Sequence, residues 1–414
     1  MQLCIGLHVH LDLPWTDHPF SFSSFKITSL EQIMSLQALG LTRIRYSPAK
    51  SDGEPLLLPA STAEPAPAGP VIAPADASIA QAKRARIARL AEQRERIDAC
   101  EREFLISGKG VKSITQNLFS RPEQSLKDAT ALVSTIADSM LTEAEVAINL
   151  MKDKIGGEDA YHHPLNVAVL AMMLAKELKA PPEAIRLLGL AALFHDIGKL
   201  DLPERIVRKQ EALTKAELSL LQQHCAYGVE MGRKLGLSQE ALNVIAQHHE
   251  RVDGSGYPQG LKGPQTSMLA KIVAVANAFD MLCNPPNPAQ ALTPHEALQT
   301  MFGQQRGHFE PLPMSTFIRC MGVYPPGTIV VLSNDALAMV VSVNSARPLK
   351  PTVLIYDPAV PKDQAILVDL ELEPDVGITR SVRPQQLPDP VLDYLAPRKR
   401  LAYYFDSGGA AASN

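Results

Sequence analysis

Ala191-Ala-Leu-Phe-His195-Asp196-Ile-Gly-Lys199 sets a histidine and an aspartate side by side at the end of an apolar helical run. Further on, His248-His249-Glu-Arg-Val-Asp-Gly-Ser-Gly-Tyr-Pro258 places a second adjacent pair before two glycines and a proline, which dictate a tight, ordered turn beside the histidines. Of the 11 histidines, six (His162, His163, His195, His224, His248, His249) fall in this part of the chain, far more than its share by length. Helical bundles build metal sites by projecting ligands inward from facing helices, and imidazoles joined by carboxylates favour first-row transition metals over Mg²⁺ or Ca²⁺. Neighbouring residues on a helix diverge by about 100°, yet a carboxylate can accept two metals while its neighbour holds one. A lone histidine here would read as a hydrogen-bonded core group; six in this arrangement read as a metal centre.

Outward from these motifs, residues 126–320 show apolar spacing of three and four and read as almost entirely helical. Thr214-Lys-Ala-Glu217 and Thr293-Pro-His-Glu296 are capping-box patterns that mark helix starts. From Gly327 the pattern changes to short β-rich runs, Thr328–Leu332, Ala338–Val343, Val353–Tyr356 and Ala365–Leu370, which predict a small antiparallel sheet. Residues 1–50 read as an α+β module, with strands over Cys4–Leu13, around Phe20–Ile27 and over Thr42–Tyr46. Its helix would begin at Ser29-Leu-Glu-Gln32 and stop at Gly40. Residues 51–80 are rich in proline and alanine and read as a linker. The charged segment 81–125 is a helical connector, open to two readings over 81–106: a short coiled coil that would make the chain a homodimer, or a solvated helix. The expected order is therefore a helical domain over 126–322, a β extension over 323–396 and a tail over 397–414.

Composition narrows the function. With 40 basic and 44 acidic residues the net charge is −4, which argues against a general nucleic-acid-polymer binder. The five cysteines (Cys4, Cys100, Cys225, Cys283, Cys320) are scattered and form no CxxC pair, so they read as reduced thiols. No apolar run approaches the roughly 18 residues that span a bilayer, and the N-terminus shows no secretory pattern. The expectation is a cytoplasmic protein without a membrane association.

The two histidine motifs, in this order, make the chain resemble the HD-GYP subgroup of the HD phosphohydrolase superfamily. The resemblance runs from about Asp159 to Gly322 and includes Gly307-His-Phe-Glu-Pro311, similar to the family's G-x-F-D-P segment. Residues 1–50 resemble the small N-terminal domain of one branch, and Tyr324-Pro-Pro-Gly-Thr328 with the following strands resembles that branch's C-terminal extension. The resemblance implies a mainly α fold, an HD-type bundle flanked by the α+β module and the β extension. It implies bacterial second-messenger signalling through a cyclic di-GMP phosphodiesterase with two divalent metals, Fe or Mn favoured, and a third in some members. Its metal ligands would be His163, His195, Asp196, His224, His248, His249 and Asn277, with Asp196 bridging and Asp159 a candidate for the third metal. Lys199 and Asp196 would be catalytic, and Lys199, Arg251, Asp253, Gly256 and Tyr257 would contact the substrate. The product would be pGpG, with GMP after a second cycle. The Gly-Tyr-Pro loop would be the contact face for diguanylate cyclase domains.

Two departures stand out. The family's V-A-D-x-x-D segment reads Val275-Ala-Asn277-Ala-Phe-Asp280 here, so a neutral amide stands where a carboxylate ligand is expected; Asp280 is open as a substitute, a partner of a ligand, or a packing residue. Where the family carries arginines, this chain reads Cys283-Asn-Pro-Pro-Asn-Pro-Ala289, with no basic residue. The alternatives are therefore a catalytically weak or inactive relative acting as a cyclic di-GMP receptor or scaffold, and a hydrolase for another phosphoester.

Overall fold

The computed structural model describes residues 3–13, 18, 20, 22–55, 95, 102, 106–142, 147–150, 162–344, 347–358, 360–362, 365–373, 375–395 and 403–405. The 51–80 linker beyond residue 55, nearly all of the 81–106 segment, Cys100, Asp159 and the residues after 405 lie outside that set.

The N-terminal module pairs β1 (His8–His10) with β2 (Ser24–Lys26) and β3 (Arg45–Tyr46), both antiparallel. Val9, Phe25 and Tyr46 share one face by register, and Val9 and Phe25 join Leu7, Ile27, Ile33 and Leu36 in a small core closed by α1 (Leu30–Ala38). The strand expected over Cys4–Leu13 shrinks to three residues because Gly6 turns the chain at φ +94°. Ser29 caps α1, but Gln32 reaches back to the amide of Thr28, one residue earlier than a capping box requires.

The helical body comprises α2 (Pro122–Thr142), α3 (His162–Glu177), α4 (Pro182–Leu193), the short α5 (Glu204–Val207), α6 (Lys215–Gln222), α7 (His224–Leu235), α8 (Gln239–Gln247), α9 (Met268–Cys283), α10 (Pro294–Gln299) and α11 (Pro311–Met321). Thr214 and Thr293 both form the predicted capping boxes. Helices α3 and α9 are apolar around most of their circumference, as elements surrounded by others must be. Small residues bring helices close to one another: a Cβ at Gly189 would collide with Met172, and one at Gly228 would sit 2.8 Å from Ile245.

Strands β5 (Ile329–Leu332), β6 (Leu337–Asn344), β7 (Thr352–Ile355) and β8 (Ile366–Asp369) fall within a residue or two of the four predicted runs, and β9 (Ile378–Val382) pairs with β5. Both faces of this sheet are buried. Ile329, Val331, Met339, Val341 and Leu367 join the helical core, while Val330, Leu332, Val340, Val353 and Ile366 form a second core that includes Phe22 of the N-terminal module. A Lys50–Asp335 ion pair and a Thr28–Asp375 hydrogen bond fasten that module to the extension. The sheet is thus sandwiched between module and bundle, which its unbroken apolar strands demand.

Two expectations are corrected. Ala147–Leu150, inside the segment expected to be helical, is strand β4, and Tyr403–Phe405, expected as tail, is strand β10 paired to it. The reason is β6: it is eight residues long and outruns β5, so its second half needs another edge partner, which β4 supplies. The helix Asp389–Leu395 was likewise not anticipated. No helix among the described residues is long and apolar enough to cross a membrane.

Candidate metal centre

His195 and Asp196 lie in the turn that leaves α4, followed by a 3-10 turn over Ile197–Asp201. Gly198 presses this turn onto α7: a Cβ there would strike the backbone of His224 and Gly228. The glycine therefore does more than end the helix, because its close approach carries Asp196 to His224. His163 comes from the first turn of α3, His224 from the start of α7, and His248 and His249 from the end of α8.

These side chains converge on Asp196. Its Oδ2 lies 3.5 Å from His163 Nε2 and 3.4 Å from His195 Nε2, which are 3.3 Å apart. Its Oδ1 lies 3.3 Å from His224 Nε2 and 3.7 Å from His248 Nε2, which are 3.2 Å apart. His249 completes the second set, and within each set the candidate ligand atoms lie within 4.8 Å of one another. One carboxylate thus serves two imidazole clusters, one through each oxygen.

The nitrogens on the far sides of the rings set the tautomers. His195, His224 and His248 each donate Nδ1–H to the carbonyl three residues earlier (Ala192, Leu221 and Ile245) at 2.6–2.8 Å. Their Nε2 lone pairs therefore face the centre. Two such lone pairs 3.2 Å apart, beside a buried Asp196 Oδ1 that accepts no hydrogen bond, repel one another unless a cation lies between them. The donor set fits divalent transition metals. His163 is oriented differently, by Asp280 Oδ2 at 2.6 Å. Asp280 is fully buried, and its Oδ1 accepts from Asn166 Nδ2 at 2.7 Å and Asn284 Nδ2 at 2.9 Å.

Burial pushes the rings of His195 and His249 well below the usual imidazole range and that of His224 to about 4, against the pull of Asp196. Burial also opposes charge on Asp196 and His163, but there it is outweighed. Lys199 and the adjacent imidazoles hold Asp196 well below the usual carboxylate range, while Asp196 and Asp280 raise His163 to about 9. Lys199 Nζ donates to Asp196 Oδ2, with its side chain one-quarter exposed. Cys225 places its thiol 3.6 Å from His224 Nε2, and burial pushes its pKa up to about 12, so it stays neutral.

The loop after His249 is held from beneath. Glu250, 4% exposed, accepts the amides of Gln259 and Leu261, both at 2.8 Å. Gly256 lies against the backbone of residues 249–251 with no room for a Cβ. Tyr257 stacks on His249 with ring centroids 4.5 Å apart. Arg251 is exposed. Asp253 is also exposed, and its Oδ1 accepts from the amide and hydroxyl of Ser255; it shapes the turn. Asn277 is buried on α9, one helical turn before Asp280. His162 does not join the cluster: it is buried beside Gly108. Glu250, Asn166 and Asn284 escaped the sequence reading, although Asn166 and Asn284 stand one turn from His163 and Asp280, a spacing that could have flagged them.

A family model described as an HD domain matches residues 118–312, and one described as a domain of unknown function (DUF3391) matches residues 1–129. The chain is 32% identical over 363 residues to the cyclic di-GMP phosphodiesterase PA4108 of Pseudomonas aeruginosa, covering 86% of this chain and 83% of that one. It is 30% identical to the 3′3′-cGAMP-specific phosphodiesterase 2 of Vibrio cholerae, over 43% of this chain and 35% of that one. Among solved structures it is similar to Bd1817, an HDG"Y"P protein from Bdellovibrio bacteriovorus, at 20% identity and a TM-score of 0.43, over 56% of this chain and 78% of that one. With the histidine–aspartate cluster in place and the similarity to the Pseudomonas protein running through most of both chains, this chain belongs to the HD-domain family of cyclic di-GMP phosphodiesterases.

Proposed function

We propose that this chain hydrolyses cyclic di-GMP, opening the ring to linear pGpG, at a centre of two divalent metal ions, Fe²⁺ or Mn²⁺. The observation that carries this reading is Asp196, whose two carboxylate oxygens each face a separate set of imidazole nitrogens. His163, His195 and Asp196 Oδ2 would hold one metal, with Asn277 as the further candidate ligand; His224, His248, His249 and Asp196 Oδ1 would hold the other. Such a pair supplies a nucleophile near neutral pH and stabilises the attacking and leaving oxygens of an in-line phosphoryl displacement.

The residues around the centre have distinct tasks. Lys199 Nζ, beside Asp196 Oδ2, brings positive charge to the scissile phosphate and carries protons within reach of the leaving oxygen. Tyr257 fixes the plane of His249 by stacking, and Gly256 lets the loop lie close enough for that contact. Arg251 is an exposed cation for a dianionic ligand, in a chain whose 284–289 loop has none. The similarity to the Pseudomonas phosphodiesterase favours turnover over binding alone.

The test is incubation of anaerobically Mn²⁺- or Fe²⁺-loaded protein with cyclic di-GMP and, separately, 3′3′-cyclic GMP-AMP, followed by chromatography. His195→Ala/Asp196→Ala is the control for contaminating activity. Formation of pGpG by the parent alone supports the proposal. Turnover of cyclic GMP-AMP only, or of neither nucleotide with both metals bound, refutes it.

A further inference from the structure

The first cluster has a single carboxylate of its own, Asp196, and it shares that group with the second cluster. A further carboxylate stands on α9. Asp280 is fully buried, reaches across to α3, and bonds His163 Nδ1 at 2.6 Å. We propose that Asp280 is the positioning residue of the His163–His195–Asp196 site, adding negative charge through the His163 ring and holding that ring with its Nε2 lone pair toward the metal. This rests on the two-metal reading above and adds which residue makes that site competent.

The surroundings of Asp280 make its charge state and its orientation inseparable. Asn166 Nδ2 and Asn284 Nδ2 both donate to Asp280 Oδ1, so that position must be an acceptor. Asp280 Oδ2 then faces His163 and must accept its Nδ1–H. An asparagine at 280 has one oxygen and one NH₂ group. The two amide donors claim the oxygen, which turns the NH₂ group toward His163. The ring is then stabilised with its proton on Nε2, the atom that should bind the metal. An isosteric substitution therefore does more here than remove charge: it selects the wrong tautomer, by the logic known for the aspartate that orients a catalytic histidine in serine proteases. Outer-shell partners of this kind typically contribute 10–100-fold to metal affinity. The second cluster shares only Asp196 with this site; carbonyls orient its His224 and His248 rings and Tyr257 stacks on His249, so it should be untouched.

The experiment is Mn²⁺ titration of the full chain, parent against Asp280→Asn, read by calorimetry, metal content and electron paramagnetic resonance. The parent is expected to bind two equivalents and show an exchange-coupled two-manganese signal. Asp280→Asn is expected to keep the first equivalent with unchanged affinity, bind the second roughly 10–100-fold more weakly, and show an isolated Mn²⁺ signal at one equivalent. The retained equivalent is the internal control for folding. Two tight equivalents and a coupled signal in Asp280→Asn would overturn the inference and leave the two-metal reading standing. A parent that binds no metal would overturn both. Should Asp280→Asn lose its helical circular dichroism, the milder Asn284→Ala decides: weakening of the second equivalent alone supports the role, and unchanged affinity for both equivalents overturns it.

Discussion

Raising the pH should tighten one metal site of this protein and leave the other nearly unaffected. His163, pressed between Asp196 and Asp280, has a pKa of about 9 and carries a proton at neutral pH. A metal at Nε2 must displace that proton, so affinity at the His163 site falls as pH drops below about 9, by tenfold per unit. From pH 9, where the ring is already half deprotonated, to pH 7 this is about 50-fold, or about 2 kcal/mol. At the other site, burial holds His224 at about 4 and His249 well below the usual imidazole range, so these two rings have no proton to lose at pH 7. Asp196 is ionised throughout. Calorimetry at pH 7.5 in two buffers of different ionisation enthalpy measures the protons released. The structure predicts close to one for the weaker equivalent and much less for the tighter one. Equal release at both sites, or affinity at the weaker site that does not change between pH 7 and 9, would refute the reading of His163.

Three further outcomes follow from particular contacts. Asp196→Asn should weaken both equivalents, by at least roughly the 10–100-fold seen on losing an outer-shell partner, whereas His224→Ala should weaken one; metal content after dialysis separates bridged from independent sites. Gly256→Ala forces a methyl group into the backbone of residues 249–251 and should destabilise the chain by about 1–3 kcal/mol. Thermal denaturation should show this, with Gly53→Ala, where the space is open, as the neutral comparison. Phe22→Ala removes the N-terminal module's aromatic anchor from the outer core of the sheet and should cost about 3–5 kcal/mol. Hydrogen exchange should rise in β1–β3 while α3 and α9 keep their protection.

Much of the site is written locally in the chain. The capping threonines, the glycine that opens the Gly-Tyr-Pro motif and the paired histidines are short-range signals, and the structure uses each where the sequence put it. The four β runs of the extension were readable because both faces of the sheet are covered, leaving strands apolar throughout. What stayed hidden depends on partners far along the chain. β4 and β10 exist because β6 overhangs β5, a length mismatch visible only once the strands are paired. Asp280 could not be assigned from spacing, since its partner His163 is 117 residues away. His162 and His163 are adjacent and chemically identical; only the packing of α3, which turns His162 toward Gly108, tells them apart.

The most direct test of a bridged two-metal phosphodiesterase is cyclic di-GMP turnover followed as Mn²⁺ is added stepwise to metal-free protein. With Asp196 shared between two clusters, turnover should stay near background through the first equivalent and rise to its maximum at the second. Full activity at one equivalent, or none at two, would contradict it.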